Sequence, residues 1–81
     1  MWTEEELKKI HRQSGSNKKS VLKSELCGCF YCLRTFKPEE VGEFIGNITI
    51  CKCGIDSVLA SHDVEITSEL LKVMNEKYFS Y

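Results

Sequence analysis

The string "CGCFYC" at residues 27–32, within "SELCGCFYCLRTF" (24–36), and the string "ICKCG" at 50–54 hold all five cysteines of an 81-residue chain. Thiols spaced this closely either cross-link a chain or bind a metal ion. Five is an odd number, so any disulfide scheme leaves one thiol over. The opening "MWTEEELKKI" carries three acids where an export leader needs basic charge followed by an apolar run. No window approaches the roughly 20 apolar residues of a membrane span. A cytoplasmic location is therefore expected, where thiols stay reduced. Metal is expected in place of disulfides.

A tetrahedral zinc ion takes four ligands at about 2.0–2.3 Å. Cys-x2-Cys and Cys-x-Cys turns each aim two sulfurs at one point. Cys29-Phe30-Tyr31-Cys32 is one such knuckle, and Cys51-Lys52-Cys53 is the other, with Gly54 easing the turn beyond it. The expected ligands of one structural zinc ion are Cys29, Cys32, Cys51 and Cys53. Cys27 is the alternative to Cys29, because Cys27-Gly28-Cys29 has the spacing of the second knuckle; otherwise it is a buried thiol beside the site. Energetics favour such a staple. The apolar fraction is 42 %, and five of those residues are Cys. An apolar core in so short a chain rarely supplies more than about 3–5 kcal/mol, against about 10–16 kcal/mol for structural zinc.

Around the knuckles the pattern predicts an α+β fold: N-terminal helices, a short β-hairpin and a C-terminal helix, in a zinc-ribbon-like or treble-clef-like layout. Thr3 and Glu6 form a capping box, with Trp2 and Leu7 at the staple positions. "SGSN" at 14–17 should end the first helix. A second helix is expected from Asn17 or Ser20 to about Leu26, with Gly28 beyond its end. Pro38 suits a first helical position. "EFIGNITIC" reads as a hairpin turning at Gly46-Asn47, and "GIDSVLASHDVE" is open between strand and helical turn. Thr67 caps a last helix whose Leu70, Leu71, Met74 and Tyr78 share a face. The organisation expected is a single zinc-binding domain over 1–81, with a helical segment at 1–26, knuckles and hairpin at 27–59, and the C-terminal helix at 66–79.

The same residues narrow the chemistry. Four convergent thiolates leave no position for a catalytic water. A zinc deaminase would need His-x-Glu and Pro-Cys-x-x-Cys, and neither string occurs. Cys29 and Cys32 have thioredoxin-type spacing without the βαβ context. His62-Asp63 resembles a nuclease pair, yet residues 33–50, where such an enzyme carries its base, contain no His. A loop turn is expected at His62, and a packed, hydrogen-bonded side chain at His11. Net charge is −1, but Lys8, Lys9, Arg12, Lys18, Lys19 and Lys23 lie in a stretch without acids. That stretch is either a solvated face or a contact for phosphate or an acidic partner.

"CGCFYCLRTFKPEEV" and "CGIDSVL" give the chain a likeness. It resembles a family of small uncharacterised bacterial cytoplasmic proteins in which His and Ser-x-x-Asn precede CGCFYC, a Phe–Pro segment follows, and Cys-Pro-x-Cys-Gly-Ile-Asp-Ser-Val leads to a helix ending in an aromatic pair. His11, Ser14 and Asn17 fit the first part, Cys27 to Cys32 with Phe36 and Pro38 the middle, and Cys53 to Val58 with Tyr78-Phe79 the end. The second knuckle departs from the pattern by being one residue shorter. The resemblance implies a compact zinc module and no particular activity.

The function expected is therefore a non-catalytic zinc module that binds a macromolecular partner, foremost a protein, as an inhibitor or adaptor. Its contact surface would be the basic 8–23 segment or the C-terminal helix, with Trp2 or Tyr81 as free aromatics. Nucleic-acid binding through the basic segment is the alternative, and a degenerate metal-dependent nuclease a third reading. No membrane partner or small-molecule substrate is evident.

Overall fold

In the computed structural model, which describes residues 2–79, the chain opens on α1 (Glu4–Gln13). Its capping box forms as expected. Thr3 Oγ1 accepts from the Glu6 N–H at 3.1 Å, and the Glu6 carboxylate accepts from the Thr3 N–H at 2.8 Å. Leu7 and Ile10 are buried, and Trp2 packs half-buried against the same core. Trp2 is thus not the free aromatic expected, and Tyr81 lies outside the described residues.

α2 (Lys18–Leu22) is shorter than the expected run to Leu26. Competing hydrogen bonds end it. Ser24 Oγ donates back to the Ser20 carbonyl at 2.7 Å. Leu26 then exchanges bonds with Ser61, its N–H donating to Ser61 Oγ at 3.2 Å and its carbonyl accepting from the Ser61 N–H at 2.9 Å. These contacts draw the chain into a sheet. Gly28, expected beyond a helix end, lies inside a strand instead.

That strand, β1 (Cys27–Cys29), is central. It pairs antiparallel with β2 (Thr35–Phe36) on one side and β5 (Val58–Ala60) on the other. Cys27 faces Ala60, Gly28 faces Leu59 and Cys29 faces Val58. Because side chains alternate across a sheet, the strands sort into two cores. Cys27, Cys29, Val58 and Ala60 join Val21 and Cys51 on one side. Leu59 joins Leu7, Ile10, Phe30, Leu70, Leu71 and Met74 on the other. The pairing with β1 also resolves "VLA", within the ambiguous "GIDSVLASHDVE", as strand.

Between β2 and β5, Pro38–Glu40 make one 3-10 turn. β3 (Glu43–Ile45) and β4 (Ile48–Ile50) then form the expected hairpin, with Gly46 at φ +61° in its turn. α3 (Ser68–Phe79) closes the first core. Thr67 Oγ1 accepts from the Leu70 N–H at 3.0 Å. Leu70, Leu71 and Met74 are fully buried, each stabilising by roughly 1.5–3 kcal/mol. The apolar face of α3 is therefore spent on the core. Among the described residues, no helix is long and apolar enough to cross a membrane.

α3 approaches the sheet at Gly28. A Cβ there would lie 2.9 Å from Ile66 Cγ2 and 3.1 Å from both Leu71 δ-carbons, closer than packed carbon atoms tolerate. Gly28→Ala should destabilise the metal-loaded protein by about 1–3 kcal/mol, read as a lower denaturant midpoint at unchanged metal content. A midpoint equal to wild type would show that α3 is not seated as described.

Candidate metal centre

The first cysteine pair sits where β1 ends. The Leu33 N–H donates to the Cys29 carbonyl at 2.8 Å, and the Cys29 N–H donates to the Arg34 carbonyl at 3.0 Å. The second pair follows β4 and is closed the same way. The Gly54 N–H donates to the Cys51 carbonyl at 2.8 Å, and the Cys51 N–H donates to the Ile55 carbonyl at 3.0 Å. In each turn the residue after the second cysteine has left-handed backbone, Leu33 at φ +65° and Gly54 at φ +94°. Gly54 takes that conformation at no steric cost, whereas Leu33 takes it at a cost of order 1 kcal/mol. The shorter Cys-Lys-Cys turn thus reaches the same closure as Cys-Phe-Tyr-Cys. Gly42 helps to seat it, since a Cβ there would come within 2.8 Å of the Cys51 carbonyl group.

The two turns bring Cys29, Cys32, Cys51 and Cys53 together, with all four Sγ atoms within 4.8 Å of one another. Cys29 Sγ lies 3.8 Å from Cys53 Sγ, and Cys32 Sγ lies 3.7 Å from Cys51 Sγ. These spacings are far beyond a disulfide bond, about 2.05 Å. They match the sulfur–sulfur edge of a tetrahedron with metal–sulfur bonds of about 2.3 Å, roughly 3.8 Å. The cluster therefore fits one metal ion that prefers soft tetrahedral ligands. Cys27 points into the second core with Val21 and Val58 and lies outside the cluster. Burial pushes its thiol up to about 11, as suits an uncharged packed group.

The four clustered thiols are not equivalent. Burial opposes ionisation of Cys29. Hydrogen bonds from the Ser57 hydroxyl, 3.3 Å from its Sγ, and from the Cys32 and Tyr31 N–H groups outweigh that and lower its pKa. Burial raises the thiols of Cys51 and Cys53, and the neighbouring Cys29 charge adds to this. Like charges this close cannot coexist without a cation among them.

The remaining candidates are dispersed. Lys8, Lys9 and Arg12 are exposed on α1, where they share a shallow surface with Glu5 and Glu6. Lys18 is half-buried with Nζ 5.1 Å over the Phe44 ring, and Lys19 and Lys23 are exposed around α2. His11 is exposed, stacks on Tyr78 at 4.0 Å and lies 6.2 Å from the Phe30 ring; it is not the packed, hydrogen-bonded side chain expected, its contacts being to rings alone among the described residues. His62 occupies a turn, its N–H donating to Ser24 Oγ at 2.9 Å. Neither histidine belongs to the sulfur cluster. Ser57, 4 % exposed against Cys29, was not legible as a site residue; its place six residues after Cys51 was the available signal. The same holds for Asn17, whose amide donates to the Val58 carbonyl at 2.8 Å and ties α2 to the sheet beside the cluster.

Comparison with protein-family models, curated proteins and solved structures gives no significant match to the chain. The fold and the cluster define it as a small α+β protein carrying a four-cysteine centre whose geometry fits a metal ion.

Two outcomes follow from this geometry. Native mass spectrometry should find one metal ion per chain, kept in Cys27→Ala and lost or much weakened in Cys29→Ser, Cys32→Ser, Cys51→Ser and Cys53→Ser. Retention of metal by Cys29→Ser with loss in Cys27→Ala would move the first ligand to Cys27. Metal uptake should also release protons near neutral pH, since the raised thiols of Cys51 and Cys53 must ionise to bind. Apparent affinity should then rise by about tenfold per pH unit for each proton displaced. Competition titrations at several pH values would read this, and a flat profile would contradict it.

Proposed function

We propose that this chain is a non-catalytic zinc module whose metal holds a protein-binding surface in place. Four thiolates satisfy a tetrahedral ion, and zinc is the divalent ion that such a set suits without redox chemistry. The partner reading is carried by the outer face of the hairpin. Ile45 and Ile48 are paired across the strands and remain 58 % and 38 % exposed. Their neighbours on that face are Glu43 and the half-buried Ile50. Leu22, 59 % exposed, lies on α2, the helix that packs beside β4. Exposed aliphatic side chains with charged groups around them mark protein contacts more than phosphate contacts.

The opposite face of the hairpin supports the link to metal. Thr49 is fully buried and Phe44 packs into the core that contains Cys29 and Cys51. The contact face therefore depends on the centre for its order. A nucleic-acid surface is less well supported, because the α1 cations interleave with Glu5 and Glu6. The resemblance to small bacterial cytoplasmic proteins agrees with a zinc module and adds nothing about the partner.

The test is affinity capture from an extract of the native host with wild type and with the double variant Ile45→Glu/Ile48→Glu. Wild type should retain one protein in stoichiometric amount, tolerant of added salt. The double variant should lose it while keeping its metal. Capture of nothing by wild type, or equal capture by both, would overturn the proposal. Capture of nucleic acid that falls steeply with salt would replace protein with a polyanion.

A further inference from the structure

The sulfur cluster is shielded on one side only. Cys29 and Cys51 are buried, Cys32 is half-buried and Cys53 is exposed. The open side gives onto a cavity of about 480 Å3 lined by Cys32, Cys51 and Cys53 together with Arg34, Lys52 and Glu40. Glu40 is already engaged, its Oε1 accepting from the Lys37 N–H at 2.9 Å. Arg34 and Lys52 are exposed, and neither enters an ion pair among the described residues. Hydrogen-bond support is also uneven. Ser57 braces Cys29 from the buried side, and Cys53 holds the outermost position.

Four thiolates around a divalent ion carry net negative charge, which by itself repels an anionic competitor. Two uncommitted cations beside the same cavity offset that charge locally and give an anionic competitor a point of attachment. We infer that the centre exchanges its metal through this cavity, with Arg34 and Lys52 drawing in an anionic chelator that displaces Cys53 first. The inference rests on the four-thiolate zinc reading above. In the step, one donor atom of the chelator forms a bond to the metal as the Cys53 sulfur gives up its own. Cys53 leaves as a thiolate and takes a proton from water. No electron is transferred. The other three sulfurs follow in turn, and Cys29, the most deeply braced, leaves last. Loss of the ion then releases the Cys51 turn that follows β4, so metal supply would govern the hairpin's outer face.

Zinc-loaded protein, its metal content established by native mass spectrometry, is mixed with EDTA, an anionic chelator, or with TPEN, a neutral one. Transfer to EDTA should accelerate in proportion to EDTA concentration. Added salt should slow that transfer without affecting transfer to TPEN. Arg34→Glu/Lys52→Glu should lower the EDTA rate about tenfold, within the range of electrostatic steering, at an unchanged TPEN rate. Brief alkylation of the loaded protein should label Cys53 ahead of Cys29. An EDTA rate independent of EDTA concentration or of salt would overturn the inference, as would labelling of Cys29 first. The salt response uses wild type alone and so does not depend on the double variant folding. A chain that binds no zinc at all would overturn the metal reading, and that result is distinct from zinc that is held but released only by spontaneous dissociation.

Discussion

Four cysteine sulfurs gathered within 4.8 Å of one another constrain everything around them. As thiolates they repel, and as neutral thiols they exchange only weak contacts with each other. A cation at their centre turns that repulsion into attraction and adds binding free energy comparable to the stability of a whole small domain. The second core shows how far this reaches. It contains Cys27, Cys29 and Cys51 with Val21, Val58 and Ala60, so half of these buried members are cysteines. Such a core is short of the aliphatic bulk that fills the first, where Leu7, Ile10, Leu59, Leu70, Leu71 and Met74 meet. The two sides of the central sheet thus differ in physics, with apolar packing on the α1 and α3 side and, on the other, a four-cysteine cluster that a bound metal ion would hold together.

β1 joins these two regimes in three residues. Cys27 and Cys29 face the coordinated side, while Gly28 gives Ile66 and Leu71 the room to approach from the other. The same alternation accounts for what the sequence revealed and what it hid. The Thr3–Glu6 capping box, the Gly46-Asn47 turn and the Leu70–Leu71–Met74 stripe are local patterns, and each element they predict is present. The knuckles were legible too, because ligand spacing is a local constraint on a turn. A central strand made of Cys-Gly-Cys was not. Its β character comes from pairing with residues 35–36 and 58–60, and nothing in three small residues announces those partners. The second helix was overextended for a related reason, since Ser61, 35 residues away from Leu26, supplies the bonds that pull the chain out of helix.

Which four of the five cysteines cluster turned on position along β1, since alternation puts Cys27 and Cys29 on the same side. Cys27 and Cys29 have identical local spacing to the Cys51 knuckle on paper, yet they are two rungs of one strand. Cys29, at the strand's end, is continuous with the turn that carries Cys32, and its N–H and carbonyl close that turn. Cys27 is at the other end of the strand, two residues from the turn, opposite Ala60 and Phe36. Its sulfur is committed to packing before the turn begins. The shorter second knuckle is accommodated because closure depends on where the left-handed residue falls, after the second cysteine in both cases, and not on how many residues separate the pair.

A metal that organises the fold need not be kinetically sealed. Binding free energy depends on all four bonds and on the packing they permit, whereas the rate of exchange depends on the easiest first bond to replace. In the exchange route inferred above, burial of Cys29 and Cys51 would secure the former, and the exposed position of Cys53 beside Arg34 and Lys52 would set the latter. The two sulfurs that define the sheet side of the centre are also the ones whose loss would damage the second core, because both belong to it. Cys53 does not, so replacing its bond leaves that packing intact until later steps. The layout therefore permits ligand exchange to start without prior unfolding, and it defers disruption of the second core to the later loss of Cys51 and Cys29.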